Sequence, residues 1–566
     1  MSVAELDLND PKRPPGDKPL TLVDYYLRQQ QDLSAVEKFS IDHEAGELPL
    51  QARYYTALLP AAPPKAGEQY AFDVDLDACS GCKACVTACH SLNGLDDTET
   101  WRDVGLLHGG SESQPFMQHV TAACHHCLDP ACLNGCPVRA YDKDPQTGIV
   151  RHLDDQCIGC QYCIFACPYD VPKYNKARGI VRKCDMCTHR LAVNEAPACV
   201  QACPNSAIRI TVVSRREVVE NCETGVFLPG APDPHYTQPS TNYRTRRNFP
   251  RNVLPADYFS ARPEHAHWPL ILMLVLTQLS VGAFLVELLL ATYFPAGVLA
   301  RVREVQVAGA LAFGLLALGA STLHLGRPMY AFRAIVGLRT SWLSREIVAF
   351  GLFAGLAVAY AVAVWQSSPV LTQFRMPLGA AVVLSGLAGV ACSIMIYQCT
   401  RRVLWNGGAT TTRFLGTTVI LGLSTTLSGS LIAAAVSPGN AVVDLLSDHG
   451  TLIARGLMLA TSLKLLFEGA VFLHLRDRLH TPLKRSALLM TKDLARFTLW
   501  RFVLGAVGGI LFPAMILRAD AGATSAGIWA VLSLGSFVSA LGGELLERYL
   551  FFTAVAAPRM PGGLRS

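Results

Sequence analysis

Residues 157–168 read CIGCQYCIFACP: three cysteines at intervals of three, a fourth four positions on, then a proline. Working outward, three more runs of four cysteines flank it. They are CSGCKACVTAC at 79–89, CHHCLDPACLNGCP at 124–137, and CDMCTHRLAVNEAPACVQACP at 184–204, the last stretched by eleven residues between its second and third cysteines. Together the four runs hold sixteen of the nineteen cysteines. Cys222, Cys392 and Cys399 match no motif and read as small apolar side chains.

Zinc sites are usually built from CxxC pairs that close one tetrahedron. Three thiolates within seven residues instead suit a cube of iron and sulfide whose irons each take one ligand. The fourth thiolate then reaches a neighbouring cluster, as in the bacterial ferredoxin run. The expected cofactors are therefore four [4Fe-4S] clusters. Their iron ligands are Cys79, Cys82, Cys85, Cys89, Cys124, Cys127, Cys132, Cys136, Cys157, Cys160, Cys163, Cys167, Cys184, Cys187, Cys199 and Cys203. A proline after Cys136, Cys167 and Cys203 turns the chain toward the other cluster of a pair. Spacing alone does not say which runs pair.

At 566 residues, 51% hydrophobic and 16% charged, with a mean hydropathy of +0.28, the chain is too apolar to be wholly water-soluble. Its net charge of +5, with no basic run interleaved with aromatics, points away from nucleic acid. Composition predicts four segments: an extension and linker over 1–70, a ferredoxin-type α+β domain over 71–215, a linker over 216–264, and an all-α bundle over 265–566. The bundle contains eight runs long enough to cross a bilayer, near 269–294, 305–325, 347–365, 377–397, 415–436, 450–474, 498–517 and 525–552.

Counting Lys and Arg in the connections gives fifteen on the face of the second, fourth and sixth loops and the C-terminal tail, against four on the other. The positive-inside rule makes the first face cytoplasmic. The cysteine-rich domain enters the first span from that face, so it is expected on the cytoplasmic side of the inner membrane, where disulfides are disfavoured. The opening DPKRPPGDKP stretch reads as neither a secretory nor a twin-arginine leader. Trp268, Trp342, Trp365, Trp405 and Trp500 fall near span ends, as an interfacial belt would.

The stretch from about 72 to 210, with all four runs, resembles the four-cluster electron-transfer subunit of the dimethyl sulfoxide reductase class of molybdenum enzymes. That resemblance implies a pairing of run one with run four and of run two with run three. Cys79, Cys82, Cys85 and Cys203 would share one cluster, and Cys184, Cys187, Cys199 and Cys89 the next. Cys157, Cys160, Cys163 and Cys136 would share a third, and Cys124, Cys127, Cys132 and Cys167 the fourth. The membrane half, through HWPLILMLVLTQLSVGAF, STLHLGRPMYAFRAI, SWLSREI and GELLERYLFF, resembles the eight-helix, haem-free anchor of the same reductases. The chain thus reads as a fusion of two subunits that are usually separate.

The same resemblance implies a quinol site at His324 and Glu346, either side of a loop carrying four arginines. Ionisable residues at a span end suit a site that must accept protons as electrons leave. Without a ligand, His324 caps a helix end and Glu346 complements the positive end of the third span behind a Ser344 cap. Lys464 and Glu468, four apart, are expected to neutralise each other, and Glu544, Glu547 and Arg548 to pair locally or line the same cavity. Glu287 is a weaker candidate for a proton route. A bis-histidine haem needs two inward histidines at one depth. Of His324, His449 and His474, His449 falls on the wrong face, so no haem is expected.

The expected function is electron transfer and membrane anchoring for a molybdopterin-containing catalytic subunit, with menaquinol or ubiquinol as exchangeable substrate. Quinol oxidation belongs here and terminal reduction to the partner. Two alternatives stand beside it: a polysulfide-reductase-type proton-translocating quinone module, and a membrane-bound iron–sulfur redox sensor. Leu22, Tyr25, Tyr26 and Leu33, at rough helical spacing, either dock the partner or pack on their own domain.

Overall fold

The cysteine runs bend where glycine and left-handed backbone allow it. In the first and third runs Gly81 and Gly159 take φ of 74° and 70°, and the residues after the second cysteine, Lys83 and Gln161, take 62° and 60°. Positive φ cannot continue a helix or a strand, so the chain curls at this point before the short helices Ala84–Leu92 and Tyr162–Ala166. The computed structural model describes residues 21–31, 34–45, 50–293, 298–366, 368–435, 441–520 and 524–562. The DPKRPPGDKP stretch and Leu33 lie outside the described residues.

Between the curls the first half of the chain forms small antiparallel sheets. Glu68–Asp75 pairs with Ile208–Ser214, so the strand before the first run closes on the strand after the last, and Asn242–Arg244 joins in parallel. Asp103–Gly110 and Pro115–Ala122 form a hairpin extended by Leu254–Pro255. Two shorter hairpins, Tyr141–Lys143 with Val150–His152 and Lys173–Asn175 with Ile180–Arg182, follow the second and third runs. This is the α+β, ferredoxin-like arrangement of short elements wrapped round cysteine loops.

Eight helices of the second half are long and apolar enough to cross a membrane. They are Trp268–Tyr293, Arg303–Leu323, Trp342–Trp365, Val370–Gln398, Gly407–Ala434, Thr451–Arg476, Ala495–Arg518 and Gly527–Thr553, called spans one to eight below. The chain is a multi-pass membrane protein. Spans three, four and five begin five to eight residues before the apolar runs do. Polar residues in those first turns are accommodated by contacts the pattern cannot show. Arg413 of span five lies 3.8 Å from Glu547 of span eight, and Arg375 of span four donates to the Ala363 carbonyl of span three at 2.8 Å. The cap of span three is Ser341, not Ser344, which is buried one turn inside the helix. Trp405 is no part of an interfacial belt: it is fully buried, with its Nε1 donating to the Phe551 carbonyl at 2.8 Å.

Spans one and five cross closely at two glycines, Gly282 and Gly422, since a Cβ on Gly282 would collide with the Thr418 carbonyl oxygen. The two halves meet at a second close approach. A Cβ on Gly159 would collide with the Gly179 carbonyl and lie 2.9 Å from Gly326, in the loop after span two. Backbone hydrogen bonds run across this joint from Arg327 to Ile158 at 3.0 Å and from Gly337 to Pro137 at 2.8 Å. The C-terminal tail returns to the first half, where Arg559 pairs with Asp257 at 2.6 Å and Leu106 donates to the Gly562 carbonyl at 3.1 Å.

Candidate electron-transfer site

Ten of the sixteen run cysteines are buried. Burial pushes the Cys89 thiol up to about 12 and those of Cys136, Cys167 and Cys187 to about 11. Thiolates at these positions therefore need compensating positive charge, which bound iron supplies. The donor set fits such a group, because backbone N–H groups already aim at the sulfurs. Ala140 donates to Cys136 Sγ at 3.2 Å, Gly159 to Cys157 Sγ at 3.4 Å, Met186 to Cys184 Sγ at 3.4 Å and Ala207 to Cys203 Sγ at 3.3 Å.

Neighbouring sulfurs sort the thiols into four sets. After burial, the sulfurs acting on Cys79 are Cys85, Cys203 and Cys82. Those acting on Cys89 include Cys199 and Cys187, and Cys184 faces Cys124 of the adjoining set as well as Cys89 and Cys199. Cys127 faces Cys124, Cys167 and Cys132, and these four line one cavity together with Lys183. Cys163 faces Cys160, Cys157 and Cys136.

Two buried cations lie where sets adjoin. Arg102, 2% exposed and stacked 4.6 Å over Phe72, faces Cys199, Cys85, Cys184 and Cys89. Its Nη1 donates at 3.1 Å to Thr121 Oγ1, which itself lies 3.7 Å from Cys85 Sγ. Lys183, also 2% exposed, donates to Cys124 Sγ at 3.5 Å and to the Cys184 carbonyl at 2.8 Å. Runs two and four adjoin through it.

The Cys136, Cys157, Cys160, Cys163 set is held against the membrane half. His324 Nε2 donates to the Cys160 carbonyl at 3.2 Å. A carbonyl only accepts, so Nε2 carries the hydrogen and Nδ1 the lone pair. Burial holds this imidazole below its ordinary range. Tyr162, between the second and third cysteines of the run, reaches into the bundle and donates to the Ile396 carbonyl of span four at 3.0 Å. One turn earlier, Ser393 donates to Glu346 Oε1 of span three, which is 3% exposed. Among the described residues no hydrogen bond or ion pair joins His324 to Glu346. His324 touches the cysteine loop directly, whereas Glu346 bonds to Ser393, one turn from the carbonyl that Tyr162 of the loop reaches.

Sequence reasoning missed several participants. His267 packs edge-on to His324 with ring centroids 5.3 Å apart and to His265 at 4.9 Å. Burial and the two other imidazoles push His267 down to about 3. The HAHW motif before span one was a visible signal for the pair. Tyr162, Arg102 and Lys183 carried no signal, since an aromatic or a cation between ligands has no preferred spacing.

The remaining membrane charges make the expected local pairs and add partners from other spans. Lys464 turns to Glu544 of span eight and lies 3.6 Å from Glu468. Glu468 also accepts two bonds from Arg501 of span seven, both at 2.9 Å. Glu547 pairs with Arg548 at 3.3 Å. Glu287 is held by Arg303 at 2.9 Å and by the Tyr360 hydroxyl at 2.8 Å. These buried groups lock spans together, and each would be costly if its partner were removed.

Comparison with known proteins covers both halves. The sequence model of a 4Fe-4S dicluster domain matches residues 115–213, taking in runs two to four, and that of the DMSO reductase anchor subunit (DmsC) matches 264–554. The chain is 34% identical over 188 residues to the probable anaerobic dimethyl sulfoxide reductase chain YnfG of Escherichia coli K12, covering 32% of this chain and 90% of that one. It is 35% identical over 182 residues to the B subunit of the anaerobic dimethyl sulfoxide reductase of Haemophilus influenzae, covering 31% and 87%. Against the formate dehydrogenase-O iron-sulfur subunit of Escherichia coli K12 it is 35% identical over 158 residues, covering 25% and 52%. An anchor match across more than half of the chain, behind a domain aligned with nearly the whole of those two reductase subunits, makes this an electron-transferring membrane protein of the DMSO reductase anchor subunit (DmsC) family, fused to its iron–sulfur partner.

Proposed function

We propose that this chain oxidises membrane quinol beside Cys160 and passes the electrons through four [4Fe-4S] clusters to a separate molybdopterin-containing catalytic chain. Residues 71–215 and 265–566 are its two working domains, with the cysteine domain on the cytoplasmic face of the inner membrane. The reading rests above all on the bond from His324 to the Cys160 carbonyl, which joins a membrane-level ionisable side chain to the backbone of a cysteine loop. Each of the four thiol sets holds one cluster, and bound clusters supply the one-electron chemistry.

The protein's own groups do the rest. His324 Nδ1 and the Glu346 carboxylate accept the two quinol protons, and Ser393 keeps the carboxylate turned inward. Zinc fits less well, since three cysteines within seven residues go beyond the CxxC pairs that close a tetrahedral site.

The deciding experiment is purification from membranes with metal and partner analysis. About sixteen iron atoms per chain and a molybdenum-containing partner are expected. Zinc in place of iron would end the proposal.

Lys183 gives a second test. Its buried charge favours the reduced state of whatever Cys124 and Cys184 hold. Lys183→Met should lower the reduced-to-oxidised ratio at fixed potential by about tenfold, a midpoint drop of about 59 mV for one electron, in an electron paramagnetic resonance titration. An unchanged midpoint with full iron would show that the charge does not reach the clusters.

A further inference from the structure

On the joint between the two halves lies a crevice of about 260 Å³. Its walls come from the 230–232 turn, the 255–264 segment entering span one, Arg401–Val403 after span four, the helix Pro482–Thr491 between spans six and seven, and the tail 555–561. Five arginines face it, Arg262, Arg401, Arg402, Arg485 and Arg559, against two carboxylates, Asp257 and Glu264. Asp257 is already engaged: it accepts from Arg559 Nε at 2.7 Å and from the Gly562 N–H at 3.0 Å.

Arg402 is the informative residue. It is 6% exposed, its guanidinium is sandwiched 5.3 Å from Phe165 and 4.8 Å from Trp405, and its Nε meets no acceptor. Glu264 forms no ion pair with it among the described residues. Arg485 reaches only the His480 carbonyl, at 3.4 Å, and lies 5.0 Å over Tyr258. Burial holds Arg402 down to about 10 and Arg485 below its ordinary range. Glu264 and Asp170 lie near Arg402, and Asp257 near Arg485, which is half-buried. With Asp257 already held by Arg559, the arginines outnumber the carboxylates at this crevice. A buried guanidinium such as Arg402 is costly without a bonded anion, so the crevice is shaped for an anion from outside. The planar fork of arginine matches a phosphate group best.

The location narrows the source. Arg401 is three residues past the end of span four at Gln398, Val555 two past the end of span eight at Thr553, and Glu264 four before the start of span one at Trp268. That is the level of lipid phosphates, and the volume holds a headgroup while leaving acyl chains outside.

We propose that this crevice binds the phosphate of an acidic phospholipid headgroup, with Arg402 and Arg485 inside and the exposed Arg262 and Arg401 at its mouth. The bound headgroup cements the iron–sulfur half to the bundle. The inference is independent of the cluster and quinol assignments.

The test uses the intact chain with its partner, delipidated in detergent, and reads native mass spectra and thermal unfolding. Phosphatidylglycerol should bind one per chain and raise the unfolding midpoint, whereas phosphatidylcholine or inorganic phosphate at equal concentration should not. Arg402→Gln with Arg485→Gln should weaken phosphatidylglycerol binding by about tenfold or more. Because that variant removes buried side chains, Arg262→Gln with Arg401→Gln at the exposed mouth is measured beside it and should weaken binding in the same direction. Unchanged phosphatidylglycerol binding in both variants would overturn the site. Inorganic phosphate matching the lipid, with the same arginine dependence, would overturn the lipid as its source.

Discussion

Cys160→Ala is expected to lower iron from about sixteen to about twelve atoms per chain and to bring quinol-driven turnover down to background. Cys160 belongs to a set held against the bundle, and its carbonyl is what His324 contacts. The substitution keeps that carbonyl and removes only the sulfur. The quinol pocket therefore keeps its hydrogen bond while the first electron acceptor is lost. The remaining sets retain their ligands, so reduction of the partner by a soluble dye should continue. Iron analysis, electron paramagnetic resonance and paired quinol and dye assays read all three consequences. Full iron with unaltered quinol oxidation would remove Cys160 from the path.

Glu346→Gln should slow quinol oxidation by about 10² to 10⁴, the usual worth of a positioned acid–base group, while iron content stays unchanged. The replacement is nearly isosteric, and the amide oxygen can still accept from Ser393, so the packing of span three against span four is kept. What it loses is the ability to take a proton. The loss should therefore fall on kcat more than on KM. His324 adds a pH signature. Burial lowers this imidazole from its ordinary 6.5, so the neutral, proton-accepting form survives as pH falls through that value. The acid limb of the quinol oxidation profile should accordingly lie below 6.5, and His324→Gln should abolish it. A profile indifferent to both substitutions would place quinol elsewhere.

Spans and cysteine runs were legible because both are local. Seven residues with three cysteines specify a cube-sized loop, and a long apolar run specifies a membrane helix, whatever the rest of the chain does. Span starts were read less well. At Arg375 and Arg413 the polarity that ended the apolar pattern is absorbed by Ala363 of one neighbouring helix and Glu547 of another. The same holds for Lys464. Its sequence neighbour Glu468 is within reach, but the deeper partner, Glu544, is eighty residues away. The expected Ser344 cap failed because Ser341 starts the helix, leaving Ser344 to donate to the Pro137 carbonyl across the joint at 3.3 Å.

The amino-acid order by itself determined the classes of structure, four thiol runs and eight membrane helices, since each depends on residues within a few turns of one another. Only the tertiary structure decided which sulfurs face each other, which run rests on the bundle, and where Arg102, Lys183, His267 and Arg402 lie. Those outcomes depend on contacts between residues tens to hundreds of positions apart. Burial and charge are properties of the assembled neighbourhood, and no spacing rule within one segment encodes them.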